Sequence, residues 1–173
     1  RYGNVVGSRG SVIPFFMKKK KEGVLPITDE RMTRFSITLK QGIEFVLRSL
    51  ERMHGGEIYV PKIPSYRILD VAKAVAPEAR YEMVGIRPGE KLHEVMVPED
   101  ESRHTAEFDD HYVILPTMRS FLDHPLLGPN GLAPGVKGCP DGFSYSSGAN
   151  TEWLSVEDIR RVIAETEKEG EFE

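Results

Sequence analysis

Leu39, Ile43, Val46, Leu47, Leu50 and Met53 recur at helical spacing, and this fixes the segment from about Thr38 to His54 as an amphipathic helix. Gly55 and Gly56 end it. Strand-like runs stand on either side: Arg1 to Val6 before it and Glu57 to Val60 after it, the latter bounded by Pro61 and Pro64. Further elements follow the same alternation. Ser11 reads as the cap of a short helix with Pro14 in its first turn, closed by Lys18, Lys19, Lys20 and Lys21 and stopped by Gly23. Ile68 to Val75 reads as a helix, Tyr81 to Ile86 as a strand, Lys91 to Val95 as a short helix and Tyr112 to Leu115 as a strand. A last helix starts after Ser155, with Glu157 and Asp158 in its first turn, and runs to about Lys168. The result is an α/β chain with too few strands for a complete doubly wound sheet. It opens on a strand without a methionine, so the expectation is a piece of a longer protein whose remaining strands lie upstream.

Composition closes off several classes of function. Charge is 29% of the 173 residues with a net value of -4, which argues against a broad nucleic-acid surface. The apolar run around Val12 to Met17 ends in lysines and is far too short to span a bilayer. Cys139 is the sole cysteine, so no internal disulfide exists and a cytoplasmic setting is expected. No cysteine or histidine pair has zinc spacing, and no metal is expected. Residues 98–108 are polar and read as exposed. Residues 126–143, rich in Gly and Pro, read as a long loop. His104 and His111 sit in polar surroundings and read as solvated.

Gly3, Gly7 and Gly10 lie between a strand and a helix, but their spacing does not fit the dinucleotide fingerprint, and no Gly-Lys-Ser/Thr follows. A tight structural turn explains them. The functional alternative is that the turn and the following helix N-terminus offer N–H groups to an anion, with Asn4 and Arg9 alongside as side-chain donors.

Five segments together resemble one family. They are Arg1-Tyr-Gly-Asn-Val-Val-Gly-Ser-Arg-Gly-Ser-Val12, Pro26-Ile-Thr-Asp-Glu-Arg-Met-Thr-Arg-Phe35, Met53-His-Gly-Gly-Glu-Ile-Tyr-Val-Pro-Lys-Ile-Pro64, Gly85-Ile-Arg-Pro-Gly-Glu-Lys-Leu-His-Glu94, and Tyr145-Ser-Ser with Asn150-Thr-Glu-Trp-Leu154. In this order they resemble the extended short-chain dehydrogenase/reductases of the inverting UDP-N-acetylglucosamine 4,6-dehydratase type, the CapD-like enzymes of polysaccharide biosynthesis. The least family-like stretch is Phe121 to Asp141.

The resemblance implies a partial Rossmann-like α/β fold, without most of its N-terminal sheet, joined to a small C-terminal substrate-binding domain. Residues 1–125 would be the substrate-binding portion, 126–143 a loop and 144–173 a tail with a helix. It implies NADP as cofactor, held mainly by the half not present here, UDP-N-acetylglucosamine as substrate, and a homo-oligomer when complete. By the same resemblance Arg34 and Arg87 bind the UDP diphosphate or its ribose side, and planar guanidinium groups suit that task. Glu90 would accept from ribose hydroxyls, and Asn4 would donate to phosphate or sugar. The backbone N–H of Val12 would meet a phosphate oxygen, and Val24 would present backbone to the uracil edge. Ordinary surface ion pairs, with Glu30 or Glu90 for instance, are the plain alternative for the two arginines.

No catalytic residue is assigned. The family pairs a tyrosine with a lysine four residues later, and Tyr2, Tyr59, Tyr66, Tyr81, Tyr112 and Tyr145 all lack such a lysine. The residues present are therefore expected to be inactive alone. A UDP-sugar 4-epimerase of the same family, or a non-catalytic nucleotide-sugar binding module, remain as alternatives.

Overall fold

The computed structural model describes residues 1–8, 10–117, 123–129 and 131–168. In chain order the strands are β1 (Asn4–Val5), β2 (Val24–Ile27), β3 (Thr33–Ile37), β4 (Ile58–Pro61), β5 (Ser65–Arg67), β6 (Arg80–Met83), β7 (Val95–Val97), β8 (Thr105–Glu107), β9 (His111–Ile114), β10 (Leu127–Gly128), β11 (Gly131–Leu132) and β12 (Tyr145–Ser146). The helices are α1 (Val12–Lys19), α2 (Leu39–Arg52), α3 (Ile68–Val75) and α4 (Val156–Lys168). The architecture is mixed α/β, as the alternation of elements predicts.

The chain forms two compact units that interleave along the sequence. One holds Gly3–Lys40, Ile63–Glu94 and Ser147–Glu173; the other holds Arg1–Tyr2, Gln41–Lys62 and Val95–Ser146.

In the first unit β1 runs parallel to β3, and β5 runs antiparallel on the other side of β3. Gly3 makes the β1–β3 approach possible, since a Cβ there would lie 2.5 Å from that of Phe35. β2 and β6 form a separate parallel pair. The core gathers Ile13 and Phe16 from α1, Leu25 and Ile27 from β2, Ile68, Val71 and Ala72 from α3, and Ile159 from α4. These positions obey the period of their own elements, so the burial follows from sequence pattern.

α4 begins with a reciprocal cap. Ser155 N–H donates to Asp158 Oδ2 at 2.9 Å, and Asp158 N–H donates to Ser155 Oγ at 3.2 Å. Ser155→Ala is therefore expected to cost about 1 kcal/mol of stability, read as a lower urea midpoint at unchanged slope.

In the other unit β9 lies between β4 and β8, antiparallel to both. Ala106, Val113 and Leu115 are its buried centre, and Leu126, Leu127, Leu132 and Val136 pack on them. Three expectations are corrected here. The 126–143 stretch is not a plain loop, because β10 pairs with β11 and its leucines have apolar surface to cover. Residues 98–108 contain a 3-10 turn at Glu99–His104 followed by β8, with Ser102 and Thr105 buried. Their hydroxyls donate to Glu99 O at 2.6 Å and Glu101 O at 2.8 Å, and this local satisfaction permits the burial. His111 is buried rather than solvated, stacked at 4.7 Å on Phe108 and 5.6 Å on Tyr59, while its Nδ1 lies 2.6 Å from Asp110.

A fourth correction concerns Lys91 to Val95, which form no helix. Their backbone groups are engaged elsewhere: Thr33 N–H donates to Leu92 O at 3.1 Å, and Ser147 N–H to Glu94 O at 2.8 Å. A carbonyl spent outside the segment weakens the helical alternative.

Glu107 accepts from Lys62 at 2.9 Å and pairs with Lys137 at 2.8 Å, and these cations, Lys137 first, hold its carboxyl below the ordinary 4.5. A group depressed on folding contributes stability above its unfolded value, and that contribution disappears as pH falls through the folded value. Glu107→Gln is thus expected to lower stability modestly at pH 7, and the difference from the parent is expected to shrink as pH falls through the lowered folded value, read in urea titrations at pH 7 and in acid.

Candidate functional site

The first unit contains a cavity of about 360 Å³ lined by residues from β1, α1, β2, β3, β5 and the loop before β7. Such a volume is within the range of small-molecule sites, roughly 300–1,000 Å³. Five of the six binding residues expected from the sequence line it: Asn4, Val12, Arg34, Arg87 and Glu90. The sixth, Val24, is not on the lining. It opens β2, half-buried, in register with Arg80. Arg9 lies outside the described residues.

The arginines differ in how they are held. Arg34, on β3, is largely enclosed. Its Nη1 donates to Thr33 O at 2.7 Å and Leu92 O at 3.2 Å, while Nη2 faces Glu90 Oε1 and Nε faces Glu94 Oε1, each at 3.7 Å. Both Nη1 hydrogens are taken by carbonyls, whereas Nε and Nη2 meet the carboxylates only at ion-pair range, so Nη2 keeps hydrogen-bonding capacity for a ligand. Arg87 sits on an exposed turn, where its backbone N–H donates to Glu90 Oε2 at 3.3 Å. Among the described residues its guanidinium has no carboxylate in ion-pair range, so an ion pair accounts for Arg34 only, and there it is largely enclosed.

Asn4, with its amide nitrogen turned to Glu94, donates to both carboxylate oxygens at 2.7 Å. Burial pushes the Glu94 carboxyl up, against the pull of Arg34 and Asn4. Burial likewise raises Tyr66, which with Phe16, Met32 and Ile68 supplies the apolar wall. Glu94, which faces the lining residues Arg34 and Asn4, thus backs the charged end of the cavity.

Ser11 was legible only as a helix cap. It does stand at the N-cap of α1, yet its side chain makes no capping bond, and its Oγ is buried without a partner among the described residues. It lines the cavity beside Gly10 and Val12. An orphaned hydroxyl together with the free N–H groups of a helix start suits an anion. No sequence signal separates a serine that caps from one that waits for a ligand.

Residues 1–116 match the family model described as polysaccharide biosynthesis protein. The chain belongs to this polysaccharide biosynthesis protein family. Among curated relatives, UDP-N-acetylglucosamine 4,6-dehydratase (inverting) of Campylobacter jejuni is 51% identical over 169 residues, 96% of this chain and 51% of its own length. UDP-glucose 4-epimerase of Rickettsia conorii is 41% identical over 66% of this chain and 35% of its own length. The crystal structure of Pen from Bacillus thuringiensis superposes with a TM-score of 0.78 at 27% identity, covering 96% of this chain and 49% of that one. The chain spans about half the length of the curated dehydratases it matches. Its family resemblance and α/β class, both expected from the sequence, are thereby established, as is kinship with nucleotide-sugar-modifying proteins.

Proposed function

We propose that this chain binds the UDP moiety of UDP-N-acetylglucosamine within an NADP-dependent, C5-inverting 4,6-dehydratase of surface-polysaccharide or glycan biosynthesis. The observation that carries the reading is the convergence of Arg34, Arg87, Glu90 and the start of α1 on one cavity. Arg87 supplies a guanidinium to the diphosphate, and the N–H groups at Val12 with the Ser11 hydroxyl meet a second phosphate oxygen. Glu90 accepts from the ribose, and Phe16, Met32 and Tyr66 exclude water from the apolar side. The contact to the uracil edge is proposed for backbone groups just after Val24, since β2 meets the cavity at Pro26 and not at Val24.

The net reaction proposed for the whole enzyme is loss of water across C5 and C6 of the sugar with inversion at C5, and NADP supplies the hydride chemistry. The residues present do not fit the dinucleotide itself, because the Gly3, Gly7, Gly10 spacing differs from the fingerprint and no tyrosine precedes a lysine by four. The full-length protein is proposed to work in the cytoplasm as a homo-oligomer. No described helix is long and apolar enough to cross a membrane.

Calorimetric titration of the chain with UDP tests the proposal, alongside incubation with UDP-N-acetylglucosamine and NADP followed by NMR. Saturable binding without a 4-keto product is expected. Absence of heat overturns the binding role, and turnover overturns the predicted inactivity of these residues alone.

A further inference from the structure

The carboxy-terminal segment after β12 runs from the loop before β7 across to β5. Asn150 Nδ2 donates to Ile63 O at 2.8 Å and Ser65 Oγ at 3.0 Å, and Leu154 N–H donates to Ser65 O at 2.8 Å, fastening the segment to β5. At its other end Gly148 passes so close to His93 that a Cβ would lie 2.6 Å from the ring. Any side chain there would force the His93 ring to move.

Ser147 is the centre of this crossing and is completely buried. Its Oγ accepts the Glu94 N–H at 2.9 Å and donates to Thr33 O at 3.2 Å, with Thr33 Oγ1 at 2.8 Å. Its own N–H donates to Glu94 O at 2.8 Å. Thr33 and Glu94 are two of the four residues that hold Arg34, with Leu92 and Glu90. Thr33 O is the 2.7 Å acceptor of Arg34 Nη1, and Glu94 faces Arg34 Nε at 3.7 Å. One hydroxyl therefore ties together the backbones that carry two anchors of the same guanidinium.

We infer that Ser147 is a positioning residue for Arg34: it fixes Thr33 and Glu94 so that the guanidinium keeps its place at the edge of the cavity. The inference rests on the reading of the cavity as a nucleotide-sugar site for its effect on binding, but not for its effect on Arg34. Loss of the hydroxyl leaves Glu94 N–H buried without its acceptor and frees Thr33 O from one of its two donors. The two anchors then move independently, and Arg34 samples several positions. A ligand that needs it in one position binds about tenfold more weakly.

The test uses the full chain labelled with nitrogen-15. The Nε–H signal of Arg34, assigned by its disappearance in Arg34→Lys, reports how the guanidinium is held. Ser147→Ala is expected to shift or broaden that signal and to weaken UDP binding about tenfold. Asn150→Ala loosens the same segment at its other anchor and is expected to leave the signal in place. A signal unchanged in Ser147→Ala, or equally disturbed in Asn150→Ala, overturns the inference. Where Ser147→Ala fails to melt cooperatively, Ser147→Cys, with a weaker donor and acceptor, carries the same comparison. If the parent chain binds no UDP while the Arg34 signal responds selectively, the positioning role stands and the nucleotide-sugar reading falls. If UDP binds and the signal does not move, the nucleotide-sugar reading stands and the positioning role falls.

Discussion

Arg87→Ala is expected to weaken UDP binding by roughly 30- to 150-fold, the equivalent of about 2–3 kcal/mol for a charge-assisted hydrogen bond to phosphate. The thermal midpoint should stay close to that of the parent, because Arg87 is exposed and its hydrogen bond to Glu90 runs through the backbone N–H, which alanine keeps. This combination separates ligand recognition from folding. Arg34→Ala does not offer the same separation, since it leaves Glu90 and Glu94 without their cation and lowers stability as well. Calorimetry and thermal melts of both variants make the comparison. UDP affinity unchanged by Arg87→Ala would remove the diphosphate from this cavity.

The second large effect is in the core. Phe16→Ala should cost about 3–5 kcal/mol, a large share of the stability of a domain this size. Phe16 is 1% exposed, packs among the residues of α1, β2 and α3, and also walls the cavity. Its removal leaves a void that fixed backbone cannot close, and it widens the space beside the helix start that is proposed to receive the anion. Urea denaturation reads the first consequence, and UDP titration below the urea midpoint reads the second. A loss under about 1 kcal/mol would mean that this core is not packed as described.

Much of the local structure was legible in the sequence. The ranges of α2 and α3, the cap at Ser155 and the strand before Gly7 all follow from period and turn chemistry, which act over a few residues. Two of the misreadings share one cause. Lys91 to Glu94 have helical composition, but Thr33 and Ser147 take their backbone groups. His111 is polar, but β9 places it between Phe108 and Tyr59. In each case a partner distant along the chain or a neighbouring strand outweighed local propensity.

The candidate site shows the same division. Arg34, Arg87, Glu90 and Asn4 stood out because guanidinium, carboxylate and amide groups carry their chemistry in their identity. Ser11 and Ser147 did not, because a serine's role depends on what surrounds it. The apolar stripe of α2 is a further case: its spacing set the helix, yet Leu39, Ile43, Val46, Leu47, Leu50 and Met53 are all exposed in the described structure.

The sequence by itself determined the family, the α/β alternation and the identity of the charged groups, because periodicity, turn residues and side-chain chemistry are local properties. Only the tertiary structure decided that residues 4, 12, 34, 87 and 90 meet at one cavity, and that Ser147 lies behind Arg34. Such meetings depend on long-range hydrogen bonds and packing, and neither leaves a mark in the spacing of residues along the chain.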